Sequence, residues 1–372
     1  MNASAESTIT FDLHPAEQRV PDEVRSRLLE SPGFGQVFTD HMITLRWSEE
    51  RGWHDGKLEP YAPLVLDPAT AVLHYSQEIF EGLKAYRQDS GPIVAFRPYS
   101  NAARFRRSAA RMAMPQLPEE AFVQALELLV SHDKEWVPAN ADQSLYLRPF
   151  MIATTVALGV GRPASSYMFL VIASPSGSVF AGSGVRAVSV WLAEGVTRAA
   201  PGGTGEAKTG GNYAASFTGQ QQAIDHGCDQ VVWLDALEHR WVEEMGGMNL
   251  FFVYGSGPQA RIMTPPLTGT LLPGVTRDSV LTLAPDLGIP ASEGMISVDQ
   301  WREGCASGEI TEVFACGTAA VITPVAQVKG AAGGWTIAEG QPGPVTMRLR
   351  EHLLGIQFGR LPDPHGWVHK IA

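Results

Sequence analysis

The sequence has little cysteine: only Cys228, Cys305 and Cys316 occur in 372 residues, far apart and without a C-x-x-C pair. An odd, scattered set excludes a disulfide framework and fits a reduced, intracellular chain. No apolar run approaches the roughly 20 residues of a membrane helix. The longest, such as MFLVIA at 168–173, has the length of a buried strand. The N-terminal MNASAESTITFDLHPAEQRVPDE has no apolar h-region, so no secretory signal is expected and the cytoplasm is the default compartment. Positive charge is scarce as well: 28 basic residues stand against 39 acidic ones, a formal net charge of −11, and no segment gathers Lys and Arg into a stripe. Binding to nucleic acid or to an anionic membrane is therefore not expected. His365 and His369 have H-x-x-x-H spacing but no acid nearby to complete a set, so no metal is expected. There is no internal repeat.

What is present suits a globular protein of about two domains, with 44% hydrophobic and 18% charged residues. The first thirty or so residues are polar and expected to wrap loosely. Strand character follows in HMITLRW (41–47), GLKAYR (82–87) and PIVAFRP (92–98), with Asp89, Gly91 and Pro92 as a hairpin connection. Ser100 is the expected N-cap of a helix over SNAARFRRSAARM, whose Arg106, Arg107 and Arg111 form a solvated face. Apolar residues spaced by three and four predict a second helix over PEEAFVQALELLVSHDKEW. Strands return in SLYLRPFMIATTVAL and SYMFLVIAS. The Gly- and Ser-rich PSGSVFAGSG (175–184) is the expected break. It divides the chain into a smaller N-terminal domain over 1–180, a linker near 181–190 and a larger domain over 191–372. Further strands are expected in VRAVSVWLA, QVVWLD, NLFFVYG and ARIMTP, and helices in GVTRDSVLTLAPDLG, VDQWREGCASG and PVTMRLREHLLGIQF. The chain is thus a mixed α/β (α+β) protein, for which a ligand site between two domains is an ordinary expectation.

The stretch GGTGEAKTGGNYA (202–214) sets one lysine, Lys208, among glycines. Two chemistries compete for it. Gly202, Ala207, Lys208 and Thr209 nearly fit G-x-x-x-x-G-K-[ST], and VVWLD (231–235) passes for the acidic strand of a nucleotide hydrolase. A phosphate-cradling loop, however, needs a helix opening at the lysine. Gly210, Gly211 and Asn212 are a poor helix start, and Ala207 replaces the required glycine. The alternative is a Schiff base with pyridoxal phosphate, whose ring is an electron sink. That cofactor asks for an acid at the ring nitrogen, donors for its phosphate and a hydrogen bond to its ring hydroxyl. Glu243 and Glu244 supply acids at the edge of an apolar strand. PPLTGTLLPGVTRDS offers helix-start N–H groups near Val275 and Thr276, and Gly317, Thr318 and Ala319 form a further turn. Arg104 and Arg198 offer fixed charge, and Tyr213 lies five residues after Lys208. Taken singly, each has a structural explanation: a solvated lysine, surface acids, and, for Phe34, Tyr75 and Phe80, plain core. Cys316 reads as a small inert apolar residue.

In this order, FGQVFTDHM, HYSQEIFEGLKAYR, FRPYSNAARFRRSAARM, SLYLRPF, KTGGNYAASF, EEMGGMNLFF, PPLTGTLLPGVTRDS and EVFACGTAAVITPV cover nearly the whole chain. It resembles the branched-chain aminotransferases, among the fold type IV pyridoxal-phosphate enzymes. The resemblance implies pyridoxal 5'-phosphate as cofactor, and Lys208 as the lysine that carries it as an internal aldimine and then acts as general base. It further implies Glu244, rather than Glu243, at the pyridine nitrogen and Tyr213 at the ring hydroxyl. Arg104 and Arg198 become cofactor-site arginines, Leu272 lies against the ring, and Val275, Thr276 and Thr318 bind the phosphate. Phe34, Tyr75 and Phe80 resemble an aromatic wall for an aliphatic side chain, with Tyr146 and Arg148 as its polar edge. Thr318 and Ala319 offer N–H groups to the substrate carboxylate. The implied reaction transfers the amino group of leucine, isoleucine or valine to 2-oxoglutarate, giving branched 2-oxo acids and L-glutamate. The implied assembly is a homodimer. The glycines beside Lys208 leave its side chain room to swing between two attachments.

Some positions depart from the family's animal members. Ala320 and Thr323 stand where those carry a C-x-x-C pair, so no thiol switch is expected there. Gly247 stands in place of a threonine and Val179 in place of a tyrosine, both near the expected pocket. D-amino-acid aminotransferases and 4-amino-4-deoxychorismate lyases share the lysine, the glutamate and the phosphate grip. HYSQEIFEGLKAYR, YLRPF and KTGGNYA favour the branched-chain group.

Overall fold

The computed structural model describes residues 9–140, 143–177 and 185–372. They form two compact units, Met1–Gly177 with His365–Ala372, and Ser178–Pro364. Val179 and the first four residues of the expected linker, 181–184, lie outside the described residues, while 188–190 already belong to a strand.

The first unit is built on a sheet of β1 (Phe11–Leu13), β2 (His41–Ser48), β3 (Gly52–Pro60), β4 (Glu78–Phe80), β5 (Leu83–Arg87), β6 (Ile93–Phe96), β7 (Ser144–Ala153) and β8 (Ser166–Ser176). A ninth strand, β18 (Val368–Lys370), pairs antiparallel with β6 at its edge. The order is β1-β3-β2-β8-β7-β5-β6-β18, with β4 on β7. The C-terminal end thus belongs to the first unit, not to the larger domain expected over 191–372. A three-residue strand carries no periodicity by which to find it. Its His369 Nε2 lies 2.8 Å from Glu127 Oε1, so the histidine has a remote carboxylate partner.

The unit's helices are α1 (Asp22–Glu30), α2 (Val72–Tyr75), α3 (Pro98–Arg111) and α4 (Glu119–His132). α3 starts at Pro98 after an N-cap at Arg97, not at Ser100, because proline at the first helical position already holds the helical φ. Phe105 of α3, Phe122 of α4 and Phe169 of β8 meet with ring centroids 5.4 to 6.0 Å apart, in the centre of the core. The N-terminal segment is more ordered than its composition implies. β1 pairs parallel with β3, the Ala16 N–H donates to His41 Nε2 at 2.9 Å, and the Val20 N–H donates to Asp40 Oδ1 at 2.8 Å. Backbone pairing holds it where apolar burial does not, since no residue of α1 is buried.

The second unit contains β9 (Val188–Leu192), β10 (Gln230–Leu234), β11 (Val242–Met245), β12 (Met248–Tyr254), β13 (Arg261–Thr264), β14 (Ala291–Glu293), β15 (Ile310–Gly317), β16 (Val321–Gly330) and β17 (Gly333–Thr336). The order β11-β10-β9-β16-β15-β12 closes on itself, because β11 pairs with β12 as well as with β10. β9 runs parallel to β10 and to β16, and the other pairings around the ring are antiparallel. Helices α5 (Gly210–Ala214), α6 (Phe217–Asp225), α7 (Val275–Asp286), α8 (Val298–Ser307) and α9 (Pro344–Gln357) complete it. The apolar run NLFFV is explained by burial on both faces of β12. Leu250 and Phe252 join a cluster with Trp301 of α8, and Phe251 and Val253 join another with Val280 of α7 and Leu349 of α9. Among the described residues no helix is long and apolar enough to cross a membrane.

Candidate active site

The glycine-rich stretch is pinned. Asn212, 4% exposed, donates through Nδ2 to the carbonyls of Thr204 and Ala207, each at 2.8 Å, and its Oδ1 accepts from Thr204 Oγ1 at 2.7 Å. That network uses both amide hydrogens of the side chain. Gly205 permits a close approach: a Cβ there would lie 2.5 Å from the Thr270 carbonyl oxygen. The expected poor helix start is overturned, since α5 begins at Gly210 with Thr209 as its extended N-cap. The Asn212 amide secures the preceding loop and offsets the glycines' low helix propensity. Even so, this is not a nucleotide loop. The preceding strand, β9, ends at Leu192, and the Asp235 carboxylate is occupied by the N–H groups of Leu237, Glu238, Arg240 and Trp241 at 2.7 to 3.1 Å.

Lys208, at the end of this pinned loop, donates from Nζ to Tyr213 Oη at 2.7 Å and lies 5.1 Å from the tyrosine ring centroid. A pocket beside Tyr213 is lined by Arg198, Ala207, Asn212, Tyr213, Ser216, Glu244, Gly246, Gly247 and Leu272. Gly247 leaves Tyr213 its room, because a Cβ there would come 3.3 Å from Tyr213 Cε1.

Two adjacent acids on β11 point to opposite faces of the strand, and only one faces the pocket. Glu244 is 2% exposed; its Oε1 accepts from the Leu272 N–H at 2.6 Å and from Asn249 Nδ2 at 3.2 Å, and its Oε2 lies 3.2 Å from Arg198 Nη2. Burial pushes its carboxyl above the ordinary value, against the pull of Arg198, the Leu272 N–H and Lys208. Glu243 is absent from the lining and accepts from Thr270 Oγ1 at 2.5 Å. Arg198 Nη2 also donates to the Thr270 carbonyl, so one nitrogen of the guanidinium ties the buried acid to the Thr270 segment.

Two residues beyond Leu272, Gly274 is the N-cap of α7 and Val275 its first residue. The first N–H groups of a helix have no intrahelical acceptor, and the helix dipole favours an anion there. Thr318 and Ala319 lie in the turn between β15 and β16. Asn249 pairs with Glu244 on one side and with Cys316 on the other, so this turn follows the strand next to the one that neighbours the acid. Burial pushes the Cys316 thiol well above its ordinary value, in keeping with an inert residue.

In the first unit, Phe34, Phe80, Tyr146 and Arg148 come together. The Arg148 guanidinium carbon lies 5.0 Å from the Phe80 centroid and 5.3 Å from that of Tyr146, and its Nη2 donates to Tyr146 Oη at 3.2 Å. Phe34 meets Tyr146 edge-on at 5.1 Å. Tyr75 instead donates its hydroxyl to the Leu158 carbonyl. Arg104, 3% exposed, is clasped by the buried Glu81: Nε donates to Oε1 at 2.7 Å and Nη2 to Oε2 at 2.8 Å, while Asn101 Nδ2 donates to the same Oε2 at 2.8 Å. Sequence reasoning missed Glu81, Asn101, Asn212 and Asn249. Glu81 and Asn212 had a signal in their place within the IFEGL and KTGGNYA motifs.

The family model for class IV amino-transferases matches residues 78–328, more than half of the chain. The chain is 58% identical over 367 residues to the probable branched-chain-amino-acid aminotransferase of Streptomyces coelicolor, covering 98% of this chain and all of that one. It belongs to the class IV branched-chain aminotransferases. It is also 54% identical over 372 residues to the branched-chain-amino-acid aminotransferase of Mycobacterium tuberculosis, with both chains covered completely. Its fold matches the T.th. branched-chain amino acid aminotransferase, solved with pyridoxamine 5'-phosphate, at a TM-score of 0.71 and 30% identity, over 88% of this chain and 98% of that one. The protein is thus a fold type IV transaminase, and its cofactor is pyridoxal phosphate. The residues of the second unit fit that group chemically: an amine held by a phenol, a buried carboxylate, a glycine wall and a helix start.

Proposed function

We propose that the pocket at Lys208 and Glu244 holds the cofactor, and that this aminotransferase moves the amino group of leucine, isoleucine or valine to 2-oxoglutarate. The observation that carries this reading is one pocket lined by both Tyr213, whose Oη accepts from Lys208 Nζ, and the buried carboxylate Glu244. Bound pyridoxal phosphate supplies an aldehyde that exchanges amines and a ring that draws electrons from the substrate α-carbon. Lys208 Nζ would be the cofactor's point of attachment and, as a free amine, the base that takes the proton from the substrate α-carbon. The pinned loop keeps that nitrogen within reach of the reacting carbon. Tyr213 Oη orients Nζ and meets the ring hydroxyl. Glu244 would hold a proton at the ring nitrogen, with Arg198 acting through Glu244, and Leu272 would pack against the ring. Val275, Thr276 and Thr318 take the phosphate, and Thr318 and Ala319 the substrate carboxylate.

Phe34, Phe80 and Tyr146 form an apolar wall with one cation, Arg148. That chemistry receives an aliphatic side chain, and it also spares the side-chain carboxylate of glutamate from burial without a partner. Arg104, braced by Glu81, contributes a guanidinium of fixed orientation to cofactor binding, and Tyr75 completes the substrate set. The protein is read as a cytoplasmic homodimer. Leu64, Val65, Leu73, Val156, Leu158 and Val160 of the first unit are 38 to 97% exposed, and their loops are tied by the Ala71 N–H to Thr155 O bond at 2.9 Å. So apolar a surface suits a second copy.

Borohydride reduction of the yellow holoenzyme should fix the cofactor on the Lys208 peptide; labelling elsewhere overturns the assignment. A substrate panel without turnover of L-leucine, L-isoleucine and L-valine against 2-oxoglutarate overturns the reaction. A monomer in sedimentation equilibrium overturns the dimer.

A further inference from the structure

Asn249 has no role in the site set above, yet it hydrogen-bonds two residues of the pocket lining, Glu244 and Leu272. It is 5% exposed on β12, directly across from Glu244. Its Nδ2 donates to Glu244 Oε1 at 3.2 Å and to the Leu272 carbonyl at 3.1 Å. The Leu272 N–H donates to the same carboxylate oxygen at 2.6 Å, so three residues close one circuit. On its other side the amide abuts the start of α7. A Cβ at Gly274, the N-cap residue, would lie 2.1 Å from Asn249 Oδ1, so a larger residue there must displace the amide. One neutral side chain thus joins the buried acid, the Leu272 segment and the helix start. Aspartate has the same shape, but it has no N–H to donate and would set a second negative charge beside Glu244.

We infer that Asn249 is a positioning residue that sets the separation between the carboxylate meeting the ring nitrogen and the helix start meeting the phosphate, so that both ends of the cofactor are held at one spacing. The inference rests on the pocket assignment under Proposed function. The cofactor ring is rigid, so an end held out of place loses contacts at the other end. A preorganised spacing avoids that loss.

The test approaches the amide from two sides, with Asn249→Ala and Gly274→Ala. Three quantities are read: the Kd of pyridoxal phosphate, the pH at which the visible band of the holoenzyme titrates, and the protection of cofactor-stripped protein against heat by inorganic phosphate. Asn249→Ala should weaken cofactor binding about tenfold, or ~1.4 kcal/mol, shift the band's titration and reduce phosphate protection several-fold. Gly274→Ala should do likewise by displacing the amide. In the double variant the added Cβ no longer meets Oδ1, so the two losses should fall short of their sum. Glu244→Gln should shift the titration yet leave phosphate protection within twofold. Normal behaviour at both ends in Asn249→Ala, a change at one end only, or additive losses in the double variant would each overturn the inference. Borohydride mapping separates the two levels. Label away from Lys208 defeats the pocket assignment, whereas label on Lys208 with a silent Asn249→Ala defeats this inference alone.

Discussion

Lys208 Nζ lies 2.7 Å from Tyr213 Oη, one short helix start away along the chain. The phenol therefore fixes where the amine waits. Lys208→Ala should abolish transamination while leaving circular dichroism and the melting temperature near wild type, since its side chain is only partly buried. Unfolding of this variant would make Lys208 a structural lysine instead. Tyr213→Phe keeps the ring and removes one hydrogen bond, so kcat should fall by roughly ten- to a hundredfold, less than the ~10²–10⁴ of a lost general base.

The Glu244 carboxyl, raised above its ordinary 4.5 by burial, gives the cofactor-free protein a distinct pH signature. A raised pKa means that the folded state binds the proton more tightly than the unfolded one. The resulting stabilisation is complete below the unfolded value and is lost as pH rises through the folded value. Relative to Glu244→Gln, which cannot titrate, the wild-type apo-protein should lose stability on going from pH 4 towards neutrality. Chemical denaturation across that range reads the slope, and parallel curves would refute the shift. Activity of Glu244→Gln should fall sharply, because a neutral amide cannot hold the ring-nitrogen proton.

Much of this was legible before the structure, for physical reasons specific to each element. β7 and β8 are long apolar runs, and α4 and α9 carry three-and-four spacings, so their burial is written in their patterns. Lys208, Tyr213 and Glu244 stood in motifs, and of the two adjacent acids Glu244 lines the pocket whereas Glu243 does not. What escaped depends on remote partners. β1 is held by the backbone of β3, β18 by that of β6, and the closure of β11 on β12 by a hairpin whose strands read as one run of apolar and acidic residues. Asn212 and Asn249 are polar residues without periodicity, and only folding sets their amides against two carbonyls and a carboxylate. The backbone order of the loop before Lys208 escaped for the same reason: a glycine count speaks of freedom, whereas the Asn212 amide holds the carbonyls of Thr204 and Ala207.

Glu81 and Arg104 form a bidentate pair in which both side chains are nearly fully buried. Removing one partner leaves an uncompensated charge, so Glu81→Ala should cost about 3–5 kcal/mol of unfolding free energy. The double replacement Glu81→Met with Arg104→Met should cost less than that single change. If both are instead equally mild, the pair is solvated in solution. The same variants bear on the cofactor role of Arg104, since Glu81→Gln should keep the fold yet weaken cofactor binding if orientation of the guanidinium matters.

Asp235 tests whether the acid of VVWLD is a loop brace or a ligand for a cation. Partial burial works against its ionised form, but four backbone N–H donors outweigh it and bring the carboxyl down to about 2. A lowered pKa contributes stability above the unfolded value of 3.8, and that stability is lost as pH falls towards 2. Asp235→Ala should therefore lower the melting temperature at pH 7 by roughly 2–4 °C, with the gap to wild type narrowing below pH 4. The site lies on a partly solvated loop, which keeps the effect modest. Transamination should survive in the folded variant, and magnesium should change neither curve. A magnesium-dependent melting temperature in the wild type, abolished by this substitution, would return Asp235 to the role of a cation ligand.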